Sequence, residues 1–373
     1  MKVLFLGDIC ICNSLTGFSI SESLAKLLKT VDFTVANWEA AIVNDTDYLP
    51  IKKAGPTIKQ HPDYEILMRA QDFSYVSLAN NHIMDYGEEG LQNTIQVLES
   101  KGIKYFGAGL SFEQAYKPMI IEDQGLRVGL ISVGEAQFGT IKYEDTPGYA
   151  WACHPTLTSV IAKTKQQVDF LLMLPHAGLE MVHLPLPEWR QIYRSWIDCG
   201  VDLIIGSHPH VIQGKESYKG RTIYYSLGNY LFNYRGKNQE WYNSLGVLVD
   251  FSKAKLNVTE HFISFDPETS KLSLNERNLM KFRELCLPLE DRNKADFLEA
   301  INQICVQKWH EYYERYYAYG LPKNRRVEEN KLKHFFFNRL VKKGSKLMLY
   351  HNINIETHRF VVERALREIL EIS

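Results

Sequence analysis

Leu203-Ile204-Ile205-Gly206-Ser207-His208-Pro209-His210 is the stretch that decides the reading of this chain. Three apolar residues, too few for a helix, run into a glycine and then into two histidines. A short apolar run bounded by turn residues is the mark of a strand buried on both faces. In an extended segment alternate residues share a face, and Pro209 fixes the backbone between its neighbours, so His208 and His210 are expected to point the same way.

The same pattern recurs upstream. Val3–Leu6 ends in Gly7-Asp8, Phe33–Ala36 in Asn37-Trp38-Glu39, and Tyr75–Ala79 in Asn80-Asn81-His82-Ile83-Met84-Asp85. Phe170–Leu174 runs into Pro175-His176-Ala177-Gly178-Leu179-Glu180. Val128–Val133 is a further apolar run. Between the runs lie amphipathic patterns over 21–29, 91–100 and 188–199, the last with Trp189, Ile192, Tyr193 and Trp196 on one face. Such alternation predicts a layered α/β domain. Ligands of open α/β sheets bind where the strands end, so five strands deliver Asp, Glu, Asn and His to one rim. That mixed oxygen and imidazole set suits Zn²⁺, Mn²⁺ or Fe. Two cations about 4 Å apart, sharing a carboxylate, are the arrangement it predicts. Singly, Gly7-Asp8 reads as a turn, Asn80-Asn81-His82 as an Asx turn or helix cap, and His176 as a hydrogen-bonded core histidine. Five such endings in one chain do not.

Composition narrows the classes. The 373 residues carry 43 Lys+Arg and 44 Asp+Glu, a net charge of -1, with 45% hydrophobic and 23% charged residues. This excludes disordered, collagen-like and disulfide-scaffold proteins and gives no global attraction to nucleic acid. Six cysteines without a C-x-x-C pair predict a reducing compartment. Met1–Asp8 reaches an acid too early for a signal peptide, and no apolar run approaches a membrane span, so a cytoplasmic protein is expected.

From Arg221 the texture turns β-like over 222–227, 245–251 and 258–265, read as a second sheet or an antiparallel extension. Beyond about residue 270 the chain becomes helical, aromatic and basic, and residues 301–373 hold 14 Lys+Arg against 8 Asp+Glu. A boundary there divides the chain into residues 1–270 and a C-terminal extension, 271–373. Lys331, Lys333, Lys342, Lys343 and Lys346 around Leu332, Phe335, Phe336 and Leu340 fit an amphipathic helix. Packing, a subunit contact or docking on the inner membrane face are the roles open to it. Tyr312–Tyr319 reads as an aromatic core helix or a platform for sugars.

Over roughly residues 1–250 these motifs resemble those of the CapA-type capsule and poly-γ-glutamate synthesis proteins, whose domain is similar to the calcineurin-like metallophosphoesterases. The resemblance rests on Gly7-Asp8, Asn37-Trp38-Glu39, Asn80-Asn81-His82 with Asp85-Tyr86-Gly87, Gly107-Ala108-Gly109, His176-Ala177-Gly178-Leu179-Glu180, Gly206-Ser207-His208-Pro209-His210 and Tyr225-Ser226-Leu227-Gly228-Asn229. It implies a four-layer α/β/β/α sandwich. By motif, Asp8 and His210 would hold a first metal ion and Asn81, His176 and His208 a second, with Glu39 bridging. His82, oriented by Asp85, would donate a proton to the leaving group or stabilise developing charge. Glu180, Asn37 and Asn229 would support the ligands or touch substrate.

Three departures bear on this. Cys10 stands where such phosphoesterases usually place a histidine, so Cys10 binds as a thiolate, or the first ion has a weaker shell, or one ion only is held. Ala177 replaces the usual tryptophan, which removes an aromatic wall, and Ser207 replaces an accessory histidine. The implied function is that of a metal-dependent hydrolase or transferase using a metal-bound hydroxide on a capsule- or envelope-polymer precursor, at a phosphoester or a γ-glutamyl-type amide. A non-catalytic polymer-assembly or binding protein on the same fold is the alternative, and a nucleotide phosphodiesterase a narrower one.

Overall fold

The computed structural model describes residues 1–43, 48–71, 73–143, 145–234, 236–275, 279–320 and 344–372. Two sheets lie at its heart. The first runs β2 (Ser19–Ile20), β18 (Lys271–Leu274), β17 (Leu256–Asp266), β16 (Asn243–Phe251), β1 (Lys2–Cys10), β3 (Phe33–Trp38), β4 (Tyr75–Ser77), β5 (Lys104–Phe106), and β15 (Asn229–Phe232) also pairs with β1. The second runs β13 (Lys215–Tyr218), β14 (Arg221–Tyr224), β12 (Leu203–Ile205), β11 (Phe170–His176), β8 (Leu126–Gly134), β7 (Met119–Asp123). A small sheet of β6 (Ala108–Gly109), β10 (Gly148–Ala150) and β9 (Thr140–Ile141) follows the ends of β5 and β8.

Period-two burial sets the layers. Val3 and Phe5 of β1 face the core shared with Val128, Leu130, Leu172 and Leu203 of the second sheet. Leu4 and Leu6 face the opposite way, into a cluster with Leu24, Leu67, Leu91 and Leu98. Those leucines come from α1 (Glu22–Leu28), α2 (Tyr64–Ala70) and α3 (Gly87–Ser100). On the far side of the second sheet, α5 (Leu157–Lys165) covers Gly129, and Tyr193 of α6 (Pro187–Asp198) stacks on Tyr225 at 5.6 Å. The order is therefore helix, sheet, sheet, helix, an α/β/β/α sandwich. Strands buried on both sides carry no polar alternation, which is why they read as plain apolar runs. Each fully buried aliphatic side chain contributes about 1.5–3 kcal/mol. The helices α4 (Phe112–Tyr116) and α7 (Leu279–Cys286) complete this unit.

The expected second sheet and antiparallel extension are both present: β14 joins the second sheet in parallel with β12, whereas β16 and β17 extend the first as antiparallel strands. The described residues group into two compact units, Met1–Ile51 with Thr57–Lys294, and Lys52–Pro56 with Ala295–Ser373. The first runs past residue 270 because β18 pairs with β17.

The second unit is helical. α8 (Lys294–Lys308) passes through a π-helical turn, Trp309–Tyr313, into α9 (Glu314–Gly320), and α10 (Gly344–Asn354) and α11 (Glu356–Ile369) follow. Phe297, Ile301, Tyr313, Val361 and Ala365 are buried in it. Tyr313 packs edge-on against His358 at 5.3 Å, so this tyrosine serves the core. Of the proposed basic amphipathic helix, Lys331, Leu332, Lys333, Phe335, Phe336, Leu340, Lys342 and Lys343 lie outside the described residues, and Lys346 is exposed on α10. Among the described residues no helix is long and apolar enough to cross a membrane.

Candidate metal centre

Asp8 does not follow β1 but sits within it, at an irregularity that interrupts pairing with β3 on one side and β15 on the other. Close approach of β15 requires a glycine before it: a Cβ on Gly7 would stand 1.9 Å from the Gly228 carbonyl oxygen, which accepts the Asp8 amide at 3.1 Å. Gly228 turns with φ 73°, placing Asn229 beside the rim. Glu39 follows β3 directly, Asn81 and His82 lie in the loop after β4, His176 ends β11, and His208 and His210 follow β12.

Asp8, Glu39, Asn81, His82, Asp85, His176, His208 and His210 are all buried. His176 Nε2 lies 3.0 Å from Asn81 Oδ1 and 3.1 Å from His208 Nδ1. That is the spacing of neighbouring ligands whose bonds to one cation are about 2.1 Å. Asn37 Nδ2 donates to Asp8 Oδ1 at 2.7 Å and lies 3.1 Å from His176 Nδ1, so this amide links the two carriers. Asn229 Nδ2 donates to Trp241 O, which turns Oδ1 toward His210 Nδ1 at 3.0 Å. His210 Nδ1–H is thereby occupied, and its Nε2 lies 3.8 Å from Glu39 Oε1. His176 Nε2 is at the same 3.8 Å from that oxygen.

Neither carboxylate oxygen of Glu39 accepts a hydrogen bond from any described residue, although the side chain is fully buried. An uncompensated buried carboxylate costs several kcal/mol or takes up a proton. Burial indeed pushes Glu39 well up, opposed by His210 and reinforced by Asp8 and Glu180. For His210 burial favours the neutral ring, but Glu39, Asp8 and Glu180 outweigh it and push it up to about 10. Burial, with His208, His210 and His82 nearby, holds His176 well down. Without a cation, the cluster keeps protons to balance its carboxylates. An acceptor-only carboxylate flanked by two imidazole nitrogens is a donor set that fits a divalent cation.

The sequence reading needs one correction of geometry. His208 and His210 do not alternate along an extended segment: their φ angles are 99° and 58°. They converge because the backbone is bent into the left-handed region, at about 1–3 kcal/mol for each such residue. Ala40 (φ 87°) and Met181 (φ 59°), beside Glu39 and Glu180, share this conformation. Cys10 is fully buried with its Sγ 3.2 Å from Cys12 Sγ. Burial pushes its thiol well up, and Cys12, Glu39 and Asp85 add to this. The convergent donor groups among the described residues are Asp8, Glu39 and His176, and Glu180, His208 and His210. Trp241 and Phe232 pack on the His210 ring at 4.6 and 5.2 Å.

Two buried residues that sequence reasoning passed over belong here. Glu135 Oε1 lies 3.1 Å from His208 Nε2. Its signal was present, since Val128–Val133 also ends in a glycine and an acid, Gly134-Glu135. Asn80 Nδ2 donates to the Trp38 carbonyl and reaches Asn37 Oδ1 at 3.4 Å, steadying the segment that carries Glu39. At the edge of the centre, His82 Nδ1 donates to Asp85 Oδ2 at 2.7 Å, and the Ile58 amide donates to the same oxygen at 2.8 Å.

Comparison with known proteins identifies the family. The family described as bacterial capsule synthesis protein PGA_cap matches residues 2–234. The chain is 30% identical over 221 residues to the capsule biosynthesis protein CapA of Bacillus anthracis, covering 57% of this chain and 54% of that protein. It is 28% identical over 219 residues to the PGA biosynthesis protein CapA of Bacillus subtilis (strain 168), covering 58% and 57%. The matched regions thus span little more than half the length of these relatives. Among solved structures, a novel phosphatase of Mycoplasma pneumoniae aligns with a TM-score of 0.44 and 14% identity, over 72% of this chain and 95% of that one. With its match running from the first strand through β15, this chain belongs to the bacterial capsule synthesis protein PGA_cap family.

Proposed function

We propose that this chain is a cation-dependent hydrolase or transferase acting on a capsule- or envelope-polymer precursor, at a phosphoester or a γ-glutamyl-type amide. The observation that carries the reading is the buried carboxylate of Glu39, which has no hydrogen-bond partner among the described residues and lies 3.8 Å from both His176 Nε2 and His210 Nε2. Asp8, Glu39 and His210 would hold one divalent cation, and Asn81, His176 and His208 another, with Glu39 shared. Bound there, the cations would supply Lewis acidity and lower the pKa of a coordinated water.

The chain's own residues do the rest. Asn37 fixes the Asp8 carboxylate and the His176 ring, and Asn229 fixes the tautomer of His210. Asp85 accepts a hydrogen bond from Nδ1–H of His82, which leaves Nε2 as the position from which a protonated ring gives its proton to a departing oxygen or nitrogen. Asp85 also stabilises the imidazolium that this requires. The polymer-precursor substrate rests on family membership alone.

The second reading, a polymer-binding protein without catalysis, is favoured by Cys10, which belongs to neither convergent donor group among the described residues. The His82–Asp85 pair favours catalysis. Metal content by plasma mass spectrometry, beside turnover of chromogenic phosphoesters and γ-glutamyl amides, tests both. Bound cation that is lost in His208→Ala, together with turnover lost in His82→Ala, is expected. Cation without turnover of either class leaves the binding reading, and absence of cation after reconstitution with Mn²⁺ or Zn²⁺ removes the first.

A further inference from the structure

Glu180 is exposed and lies on the loop after β11, outside the buried cluster. That loop is nevertheless tied to the histidine turn. The Met181 amide donates to the Pro209 carbonyl at 2.9 Å, and a Cβ on Gly178 would come within 3.0 Å of Pro209 Cγ. Gly178 has φ 134° and Met181 φ 59°, so the backbone on either side of Glu180 is bent to make this approach. The result is that a carboxylate oxygen of Glu180 and ring nitrogens of His208 and His210 all lie within 4.8 Å of one another. A second observation points into the same space. Glu39, fully buried and without a hydrogen-bond partner among the described residues, has Oε1 3.8 Å from His210 Nε2.

We infer that Glu180 is a direct ligand of the cation held by Asp8 and His210, and that it supplies a donor where Cys10, which belongs to neither convergent donor group among the described residues, does not. This rests on the proposed metal centre and deepens it. Asp8, Glu39 and His210 give that cation donors from the buried floor only. A carboxylate from the exposed side completes a mixed oxygen and imidazole shell of the kind that Mn²⁺ and Zn²⁺ accept. Because Glu180 is exposed whereas Asp8, Glu39 and His210 are buried, it also gives this cation a ligand that substrate can displace.

The test is a titration of the chelator-stripped protein with Mn²⁺ by calorimetry, checked by plasma mass spectrometry, for the wild type and the Glu180→Ala, Glu180→Gln and Cys10→Ala variants. The wild type is expected to take up about two equivalents. Glu180→Ala is expected to keep one tight equivalent and to bind the other at least about tenfold more weakly, since loss of a mere outer partner already costs that much. Glu180→Gln, which keeps an oxygen donor but not the charge, should fall between, and Cys10→Ala should match the wild type. Two unweakened equivalents in Glu180→Ala overturn the assignment while leaving the metal centre standing. Weakening in Cys10→Ala alone transfers the ligand to the thiol. A wild type that binds no Mn²⁺ removes the metal centre and this inference with it. Glu180 is exposed and Cys10 is buried, so unchanged circular dichroism and an unchanged Tm are required of each variant before its titration is compared.

Discussion

Glu135 Oε1 sits 3.1 Å from His208 Nε2, both side chains buried, while His208 Nδ1 points at His176 Nε2 from 3.1 Å. A carboxylate accepts only, so the Nε2 proton of His208 is committed to Glu135 and the Nδ1 lone pair is presented to the cluster. Tautomer and ring orientation are thus fixed from behind. The Glu135→Gln variant should keep the fold and lower cation affinity by about 10–100-fold. Calorimetric titration with Mn²⁺ measures this; an unchanged affinity would mean that His208 is oriented by its own backbone alone.

His82 and Asp85 separate chemistry from cation binding. The His82→Ala variant is expected to lose about 10²–10⁴-fold in kcat on any ester or amide substrate found, with cation content unchanged. Asp85→Asn should lose less, because the amide oxygen still accepts from Nδ1 while its charge is gone. Loss of bound metal in His82→Ala would instead make His82 a ligand.

Cation uptake should release protons. His210, raised to about 10 by Glu39, Asp8 and Glu180 against the effect of burial, is protonated at neutral pH in the cation-free chain. A cation must displace that proton, so affinity should rise with pH, by about tenfold per unit for each proton displaced. Calorimetry in buffers of different ionisation enthalpy reads the count directly. The sign for stability is opposite. A pKa raised from 6.5 stabilises the cation-free fold fully below 6.5, and this contribution is lost as pH rises through about 10. The Tm of the stripped protein should therefore fall toward alkaline pH, where the loaded protein keeps its stability. A stripped protein whose Tm is flat from pH 7 to about 10 would contradict a charged His210.

Gly7 tests the strand geometry that carries Asp8. With Gly228 O 1.9 Å from the Cβ of an alanine, Gly7→Ala must part β1 from β15. Overpacking of this kind costs about 1–3 kcal/mol or more. Urea unfolding should show the loss in midpoint, and cation affinity should fall with it because Asp8 moves. An alanine tolerated without loss would mean that the two strands separate freely.

The strands, the layering and most of the rim were legible in the sequence for one reason. Burial on both faces forces plain apolar runs, and the chain leaves each run at a polar residue where the sheet ends. Asp8, Glu39, Asn81, His82, His176, His208 and His210 could therefore be singled out from Gly7-Asp8, Asn37-Trp38-Glu39 and their counterparts without any coordinates. What the linear order could not supply was how residues far apart in the chain face one another. Glu135 and His208 are separated by the whole of β11 and α6 and meet only because β8, β11 and β12 lie side by side. The convergence of His208 and His210 was read as strand alternation, whereas it depends on left-handed backbone that a local pattern does not reveal. Cys10 looked like a substituted ligand by position, and only the folded chain shows it buried against Cys12 and outside both convergent donor groups of the described residues. Local composition determines which residues reach the rim; the distances that give them a shared cation and a fixed tautomer arise from strand pairing and loop contact, which are properties of the folded whole.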